Sequence, residues 1–194
     1  MSNLNSALIK QLSILHVFLL LMCQAKGQQL CNFGIPLKKV NRSELIQSDL
    51  VAFVFLNDEC PICMHYASEI NRLDSLSRSL GVPVVGVFSG YYRKKDIMTF
   101  AEQYNISIPL FLDKNTSFAR KLSARVTPEI VIAECVSGLV RYRGLIDDAY
   151  AGLGVKKTNT GSQYFINAVR AIASGEREYQ SETKAIGCMI QLKK

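Results

Sequence analysis

The chain has 194 residues, of which 48% are hydrophobic and 20% are charged, and its net charge is +7. This length and composition suit one domain with a single core and short appendages. The basic residues form short runs such as Lys38-Lys39 and Arg93-Lys94-Lys95, without aromatic residues at nucleic-acid spacing. That arrangement is typical of solvated surface and argues against nucleic-acid binding.

Residues 1–27 have the pattern of a secretion signal. Lys10 precedes an apolar stretch from Leu12 to Cys23, and Ala25-Lys26-Gly27 places small residues at the two positions that a signal peptidase reads. The apolar stretch is too short to span a bilayer as a mature helix. We therefore predict an exported protein, periplasmic or extracellular, with acylation of Cys23 as a lipoprotein anchor as an alternative.

A predicted strand followed by two cysteines is the stretch that carries most of the chemical information. Six consecutive apolar residues, 51–56, predict a strand buried on both faces, and the polar corner 57–59 leads into Cys60-Pro61-Ile62-Cys63. Pro61 suits the first turn of a helix, where its missing N–H costs nothing. One long amphipathic helix is predicted to follow, with a buried face formed by Met64, Ala67, Ile70, Leu73, Leu76 and Leu80.

In this arrangement Cys60 is the N-cap of the helix and Cys63 lies one turn further, on the same side. Unpaired N–H groups and the helix macrodipole favour a thiolate at that end, so Cys60 is the predicted nucleophile. Cys63 is placed to resolve a mixed disulfide on Cys60. Because Asp58 and Glu59 oppose a nearby negative charge, we expect only a modest lowering of the Cys60 pKa.

Two cysteines at this spacing can also bind a metal, attach haem or form a structural disulfide. A zinc site needs a second pair of ligands, and the only histidines are His16 and His65. Haem attachment needs CxxCH, whereas Met64 separates Cys63 from His65. A structural disulfide stays open as an alternative. We predict a redox-active pair that uses no metal and no cofactor.

The rest of the chain alternates predicted strands and helices. Together they predict an α/β domain over residues 28–180, with a mixed central sheet and helices on both faces, followed by a tail at 181–194. The turn at Ser137-Gly138 predicts a β-hairpin. The predicted strands are 84–88, 110–112, 129–133 and 139–143, and the predicted helices are 93–104, 116–124 and 163–173.

Three segments resemble the AhpC/TSA and TlpA-like redoxins. They are Phe53-Val54-Phe55-Leu56 leading into Cys60, then Val126-Thr127-Pro128-Glu129, then residues 142–148. The resemblance implies a thioredoxin-like fold with the extra strand and helix of redoxins. It also implies a cis Pro128 beside Cys60 and Cys63, with the backbone of Thr127 free to pair with an extended substrate. From the residues alone, Pro128 could equally be an ordinary proline at a strand start.

The likeness extends to exported peroxiredoxin-like redoxins through Tyr66-Ala67-Ser68-Glu69-Ile70 and through the tail motif 182–190. Two positions depart from the relatives. Asn57 stands where peroxiredoxins have a Thr or Ser that orients peroxide, and Val54 stands where thioredoxin has a buried Asp. Asn57 is a candidate substitute donor. Arg125 is a candidate to reach the thiolate, although an Arg in a loop is more often simply solvated.

Five cysteines remain after cleavage, an odd number that leaves one unpaired or intermolecular. Cys188 either resolves a sulfenic acid on Cys60 or forms a disulfide with Cys31. We favour the disulfide or an unrelated role, because Cys63 already serves Cys60. Cys135 follows a predicted buried strand and is expected to be an inert core thiol.

These observations predict a thiol–disulfide oxidoreductase that uses Cys60 and Cys63 and docks its substrate at Thr127 and Pro128. The alternative is a peroxiredoxin-like peroxidase with Cys60 as its peroxidatic cysteine, and a non-catalytic binding module is a third possibility. The expected partners are a protein or small-molecule disulfide or thiol, or a peroxide, together with an external thiol reductant. The sequence leaves the oligomeric state open.

Overall fold

The computed structural model describes residues 31, 37–41, 48–159 and 161–193. The predicted secretion signal and Cys23 lie outside these residues. Within the described ranges, no helix has the length and apolar character needed to cross a membrane.

The described chain forms ten strands and five helices. The strands are β1 (Lys38–Lys39), β2 (Leu50–Leu56), β3 (Val84–Ser89), β4 (Leu110–Asp113), β5 (Val126–Thr127), β6 (Glu129–Glu134), β7 (Val140–Gly144), β8 (Tyr150–Gly152), β9 (Val155–Lys156) and β10 (Cys188–Met189). The helices are α1 (Pro61–Ala67), α2 (Ile70–Arg78), α3 (Lys94–Gln103), α4 (Ser117–Lys121) and α5 (Tyr164–Ala173).

Six strands form a mixed sheet in the order β1-β4-β3-β2-β6-β7. The central strands β2, β3 and β4 run parallel, whereas β1, β6 and β7 pair antiparallel with their neighbours. Two short antiparallel pairs, β5 with β10 and β8 with β9, lie outside this sheet. The predicted α/β class, mixed sheet and β6–β7 hairpin are confirmed.

Strand β2 is the buried centre of the sheet, and its side chains alternate between the two faces. Ala52, Val54 and Leu56 belong to the core shared with α1, α2, α3 and α5. On the other face, the ring of Phe53 meets that of Phe118 in α4 edge to face, with centroids 4.9 Å apart. Helices therefore cover both faces, as predicted.

The single long helix predicted after Cys60 is wrong, because the chain forms two helices, α1 and α2, separated by Ser68 and Glu69. The backbone N–H of Glu69 donates to the carbonyl of Tyr66, three residues back instead of four. This tighter turn changes the direction of the buried face. Leu76 and Leu80, predicted to be buried, are consequently 41% and 40% exposed.

Cys31 and Cys135 form a disulfide that joins the segment before β1 to the end of β6. The backbone N–H of Cys135 also donates to the carbonyl of Asp49, at the start of β2. The predictions that Cys135 is an inert thiol and that Cys31 pairs with Cys188 are therefore wrong. Hydrophobic patterning identified Cys135 as buried, but it could not show which cysteine of a distant segment lies beside it.

Candidate redox site

Cys60 occupies the N-cap of α1, as the sequence predicted. Its backbone is extended, with φ −84° and ψ 115°, its carbonyl accepts the N–H of Met64 at 3.0 Å, and Pro61 begins the helix. Both Cys60 and Cys63 have side chains with no exposed area. The end of β2 and the start of α1 thus place two free thiols one helical turn apart in a dry environment.

The segment Thr127–Pro128 lies against Cys60. The Thr127–Pro128 peptide bond is cis, as the resemblance implied. The Sγ atom of Cys60 lies 3.1 Å from the carbonyl oxygen of Thr127, to which its thiol form can donate. Residues 67 positions apart in the chain therefore meet at one corner.

The edge of β5, expected to be free, is occupied by the chain's own tail. Strand β10 pairs antiparallel with β5, with Cys188 opposite Thr127 and Met189 opposite Val126. The pairing continues where the N–H of Ile190 donates to the carbonyl of Arg125 at 2.8 Å. An unpaired strand edge is a template for another strand, and here residues 188–190 use it.

Cys188 lies directly at the site. Its Sγ is 2.8 Å from the Sγ of Cys60, to which it donates a hydrogen bond. The structure therefore places three thiols together, whereas the sequence interpretation favoured a role for Cys188 away from Cys60. No group of three or more His, Cys, Asp or Glu side chains among the described residues has an arrangement suited to a metal ion.

The three sulfur atoms have different proton affinities. A hydrogen bond from the Cys63 thiol lowers the pKa of Cys60 most, a bond from Cys188 adds to it, and burial opposes both, so that the pKa of Cys60 falls to about 4. Burial raises the pKa of Cys63 far above its usual value, and burial with the neighbouring Cys60 raises that of Cys188 to about 11. The modest lowering expected for Cys60 is therefore wrong, because neighbouring thiols act on it directly.

The two auxiliary candidates do not contact the sulfur of Cys60 among the described contacts. The side-chain oxygen of Asn57 accepts the N–H of Glu59 at 2.8 Å, and thereby shapes the corner before Cys60. The side chain of Arg125 is exposed, and its backbone carbonyl accepts the N–H of Ile190. Both residues shape the backbone around the thiols.

Glu129 is a site residue that the sequence interpretation missed. It is 6% exposed, and its carboxylate accepts the backbone N–H groups of Arg125 at 2.7 Å and Val126 at 3.4 Å. Burial raises its pKa. An acidic residue at the start of a predicted buried strand was the available clue, because such a group needs partners.

A side-chain hydrogen bond connects helix α1 to the segment that follows β7. The hydroxyl of Tyr66 donates to the carboxylate of Asp147, which also accepts the N–H of Ala149 at 2.8 Å. A small aromatic surface surrounds this bond, since the rings of His65 and Tyr150 lie 5.6 Å apart. A cavity of about 260 Å³ lies beside this corner, and its lining includes Asn57, Asp58, Glu59, Tyr92, Thr127 and Met189.

The family model of the AhpC/TSA family matches residues 26–149, which includes both cysteines of the corner and the Thr127–Pro128 segment. The chain belongs to the AhpC/TSA family. It is a thioredoxin-like redoxin, and its sheet and helices form the thioredoxin-like fold that the sequence resemblance implied. No curated protein sequence matches it significantly.

Solved structures of other proteins are similar to this redoxin. An uncharacterized conserved protein from Geobacillus kaustophilus is 23% identical, with a TM-score of 0.68 over 82% of this chain and 88% of that one. A hypothetical protein from Sinorhizobium meliloti is 20% identical, with a TM-score of 0.64 over 75% and 81%. A secreted disulfide oxidoreductase from Mycobacterium tuberculosis is 17% identical, with a TM-score of 0.45 over 64% and 83%.

Proposed function

We propose that this redoxin is a thiol–disulfide oxidoreductase in which Cys60 is the nucleophile and Cys63 the resolving cysteine. The observation that carries the proposal is the buried pair itself: two free thiols one helical turn apart at the N-terminus of α1, with Cys60 Sγ 3.1 Å from the carbonyl oxygen of Thr127. A thiolate is the attacking form in disulfide exchange, and a nearby protonated thiol is the group that completes it.

The reaction takes two exchange steps. The Cys60 thiolate attacks one sulfur of a client disulfide, a Cys60–client disulfide forms, and the other client sulfur leaves and takes a proton from solvent. Cys63 then attacks Cys60 Sγ and releases the second client sulfur, which receives the proton that Cys63 loses. Two client thiols are produced, Cys60 and Cys63 are oxidised by two electrons, and an external thiol reductant restores them.

The two steps can be separated by serine variants of the two cysteines. Cys60→Ser should abolish reduction of bis(2-hydroxyethyl) disulfide, because burial raises the pKa values of the remaining Cys63 and Cys188 and keeps both as thiols. Because Cys188 lies 2.8 Å from Cys60 and could replace Cys63, the second variant also removes Cys188. Cys63→Ser/Cys188→Ser should complete only the first step and accumulate a protein adduct heavier by one client thiol on intact mass, whereas Cys188→Ser alone should turn over. Undiminished turnover in the double variant, or an adduct in Cys60→Ser, would contradict the assignment.

A second candidate function is peroxide reduction, which the short Cys60–Cys188 distance favours. The Cys60 thiolate would take one peroxide oxygen and become a sulfenic acid while the other oxygen leaves as water or an alcohol. Cys188 would then condense with the sulfenic acid to form a disulfide and release water. Peroxide consumption no faster than that of free cysteine would exclude this function.

We also propose that the protein acts outside the cytoplasm, as the secretion-signal pattern at 1–27 predicts. The Cys31–Cys135 disulfide supports this proposal, because such bonds persist in oxidising compartments. Detection of the protein in the medium or periplasm of its host, with residues 1–27 absent from its mass, tests it.

A further inference from the structure

We propose that residues 187–190 are a tethered pseudo-substrate: they occupy the client-docking edge of β5 and place Cys188 where a client cysteine reacts with Cys60. The inference rests on the proposed thiol–disulfide exchange and adds the class of client. That client is an extended peptide with glycine before its cysteine and an aliphatic residue two positions after it.

The register of the tail gives the first argument. Cys188 pairs with Thr127, and its sulfur lies 2.8 Å from that of Cys60. A strand presents alternate residues to the same side. Accordingly Ile190 is 7% exposed, whereas Met189 between them is 80% exposed. The site therefore recognises the first and third positions of Cys-x-Ile and tolerates any residue in the middle.

The glycine before the cysteine gives the second argument. A Cβ atom added at Gly187 would lie 2.6 Å from the carbonyl carbon of Thr127 and 3.2 Å from the nitrogen of Pro128. Both neighbours are backbone, so neither can turn aside as a flexible side chain can. Only glycine allows the strand to approach this corner, and the same limit applies to any client that pairs there.

The tail is attached to the domain on both sides of the docking segment, so the segment can leave without unfolding the domain. Downstream, the N–H of Lys193 donates to Oγ1 of Thr116 at 2.9 Å. Upstream, Thr183 accepts the N–H of Leu145 at 2.8 Å, and its own N–H donates to the carbonyl of Arg143. Residues 184–186 connect this anchor to β10. Because Cys60 has no exposed area while the tail is docked, a client reaches the sulfur only when residues 187–190 leave.

The redox state of the site can also hold the tail in place. Starting from the Cys60–Cys63 disulfide, the Cys188 thiolate attacks Cys60 Sγ, the bond to Cys63 breaks, and the proton lost by Cys188 passes to Cys63. No electrons are gained or lost. The product is a Cys60–Cys188 disulfide. It would bind the pseudo-substrate covalently to the site until the external thiol reduces this disulfide.

Docking can be measured without redox chemistry by fluorescence anisotropy. The probe is a labelled peptide Ala-Ile-Gly-Ser-Met-Ile-Gln, which copies residues 185–191 with serine in place of the cysteine. Gly187→Ala should expel the tail and bind this peptide at least about tenfold more tightly than the unchanged protein, because the edge is then available. A peptide with alanine in place of its glycine should bind at least about tenfold more weakly.

Gly161→Ala is the matched control, because a Cβ atom there meets nothing within 4 Å, and it should behave as the unchanged protein does. Equal peptide binding by Gly187→Ala and the control, or equal binding of the glycine and alanine peptides, would overturn the inference. Turnover of bis(2-hydroxyethyl) disulfide by Gly187→Ala is measured in parallel. Its loss with peptide binding retained would overturn the proposed function alone.

The Cys60–Cys188 disulfide can be detected by peptide mapping after the protein has been oxidised with bis(2-hydroxyethyl) disulfide. Trypsin should release residues 185–193, which contain Cys188, linked to residues 43–72, which contain Cys60 and Cys63. We expect this linked pair from the unchanged protein and from Gly161→Ala, and a loss of at least about tenfold in Gly187→Ala. Its absence from the unchanged protein would overturn the pseudo-substrate assignment.

Discussion

The carboxylate of Glu129 accepts the backbone N–H of Arg125 at 2.7 Å, across the turn that contains the cis Thr127–Pro128 bond. A second bond from the N–H of Val126 uses the same carboxylate oxygen. The turn that positions Thr127 against Cys60 is therefore stabilised from inside the protein by one buried acidic side chain.

Removing this carboxylate should destabilise the turn. In Glu129→Ala, the N–H of Arg125 loses its acceptor, and we expect the free energy of unfolding to fall by about 1–3 kcal/mol. Glu129→Gln keeps an acceptor oxygen and should lose less. Urea unfolding of both variants checks this, and equal losses would show that the negative charge of the carboxylate is what stabilises the turn.

The ionisation of Cys60 predicts how the reduced protein responds to pH. With a folded-state pKa of about 4, Cys60 should keep its thiolate absorbance in the far ultraviolet as the pH falls from neutral to about 5 and lose it near 4. The absorbance should be missing from Cys60→Ser. Replacing Cys63 by alanine should raise the midpoint more than replacing Cys188, because the Cys63 hydrogen bond lowers the pKa most.

The same shift has a definite sign for stability. Between pH 4 and the ordinary thiol pKa of 9.0, the unfolded chain holds the Cys60 proton and the folded chain does not. The free energy of unfolding should therefore rise with pH across this interval. Above it, the raised pKa values of Cys63 and Cys188 act in the opposite direction. A Cys60→Ser variant that showed the same rise would contradict this origin.

The Cys31–Cys135 disulfide should contribute substantially to stability. The two cysteines are 104 residues apart, and cross-links that close long loops typically stabilise a protein by about 2–4 kcal/mol. We expect the Cys31→Ser/Cys135→Ser double variant to lose about this amount in urea unfolding while it retains Cys60-dependent turnover. Equal stability of the variant and the unchanged protein would contradict this prediction. It would show that residual structure in the unfolded chain already restricts the loop that the bond closes.

Gly86 in β3 packs closely against the side chains of Leu110 and Leu56, so its substitution measures how tightly the core is packed there. A Cβ atom there would lie 2.5 Å from Cδ2 of Leu110 and 3.1 Å from Cδ1 of Leu56, at the end of β2. Overpacking of a core costs about 1–3 kcal/mol, so Gly86→Ala should lower the unfolding free energy by that amount. The exposed Gly161→Ala should change it by less than about 0.5 kcal/mol. Similar values for the two variants would show that Leu110 moves aside freely.

Sequence patterns predicted those features that depend on neighbouring residues. The apolar stretch of β2 and the proline after Cys60 carry their information locally, whereas the cis Thr127–Pro128 bond was implied by the family resemblance; the structure has all three as expected. The tail could not be predicted in this way, because the register of Cys188 on Thr127 joins residues 61 positions apart. A two-residue strand has too few residues to show a periodicity.

The cysteine pairing was wrong for a related reason. Both Cys31 and Cys188 lie outside the regular elements that patterning can orient, so the sequence offered no way to choose between Cys135 and Cys60 as their neighbours. The lowering of the Cys60 pKa was underestimated because its size depends on which thiols surround Cys60. The neighbour of Cys188 and the pKa of Cys60 both depend on the three-dimensional position of the tail.

The two sulfur centres of the molecule lie at opposite ends of strand β2. The disulfide is attached beside Asp49, where the strand begins, and Cys60 follows where it ends. Seven residues of extended chain span roughly 20 Å, far beyond the reach of one sulfur for another. The length of β2 therefore separates the two sulfur centres, and we expect the oxidation cycle proposed for Cys60 to leave the Cys31–Cys135 disulfide unchanged.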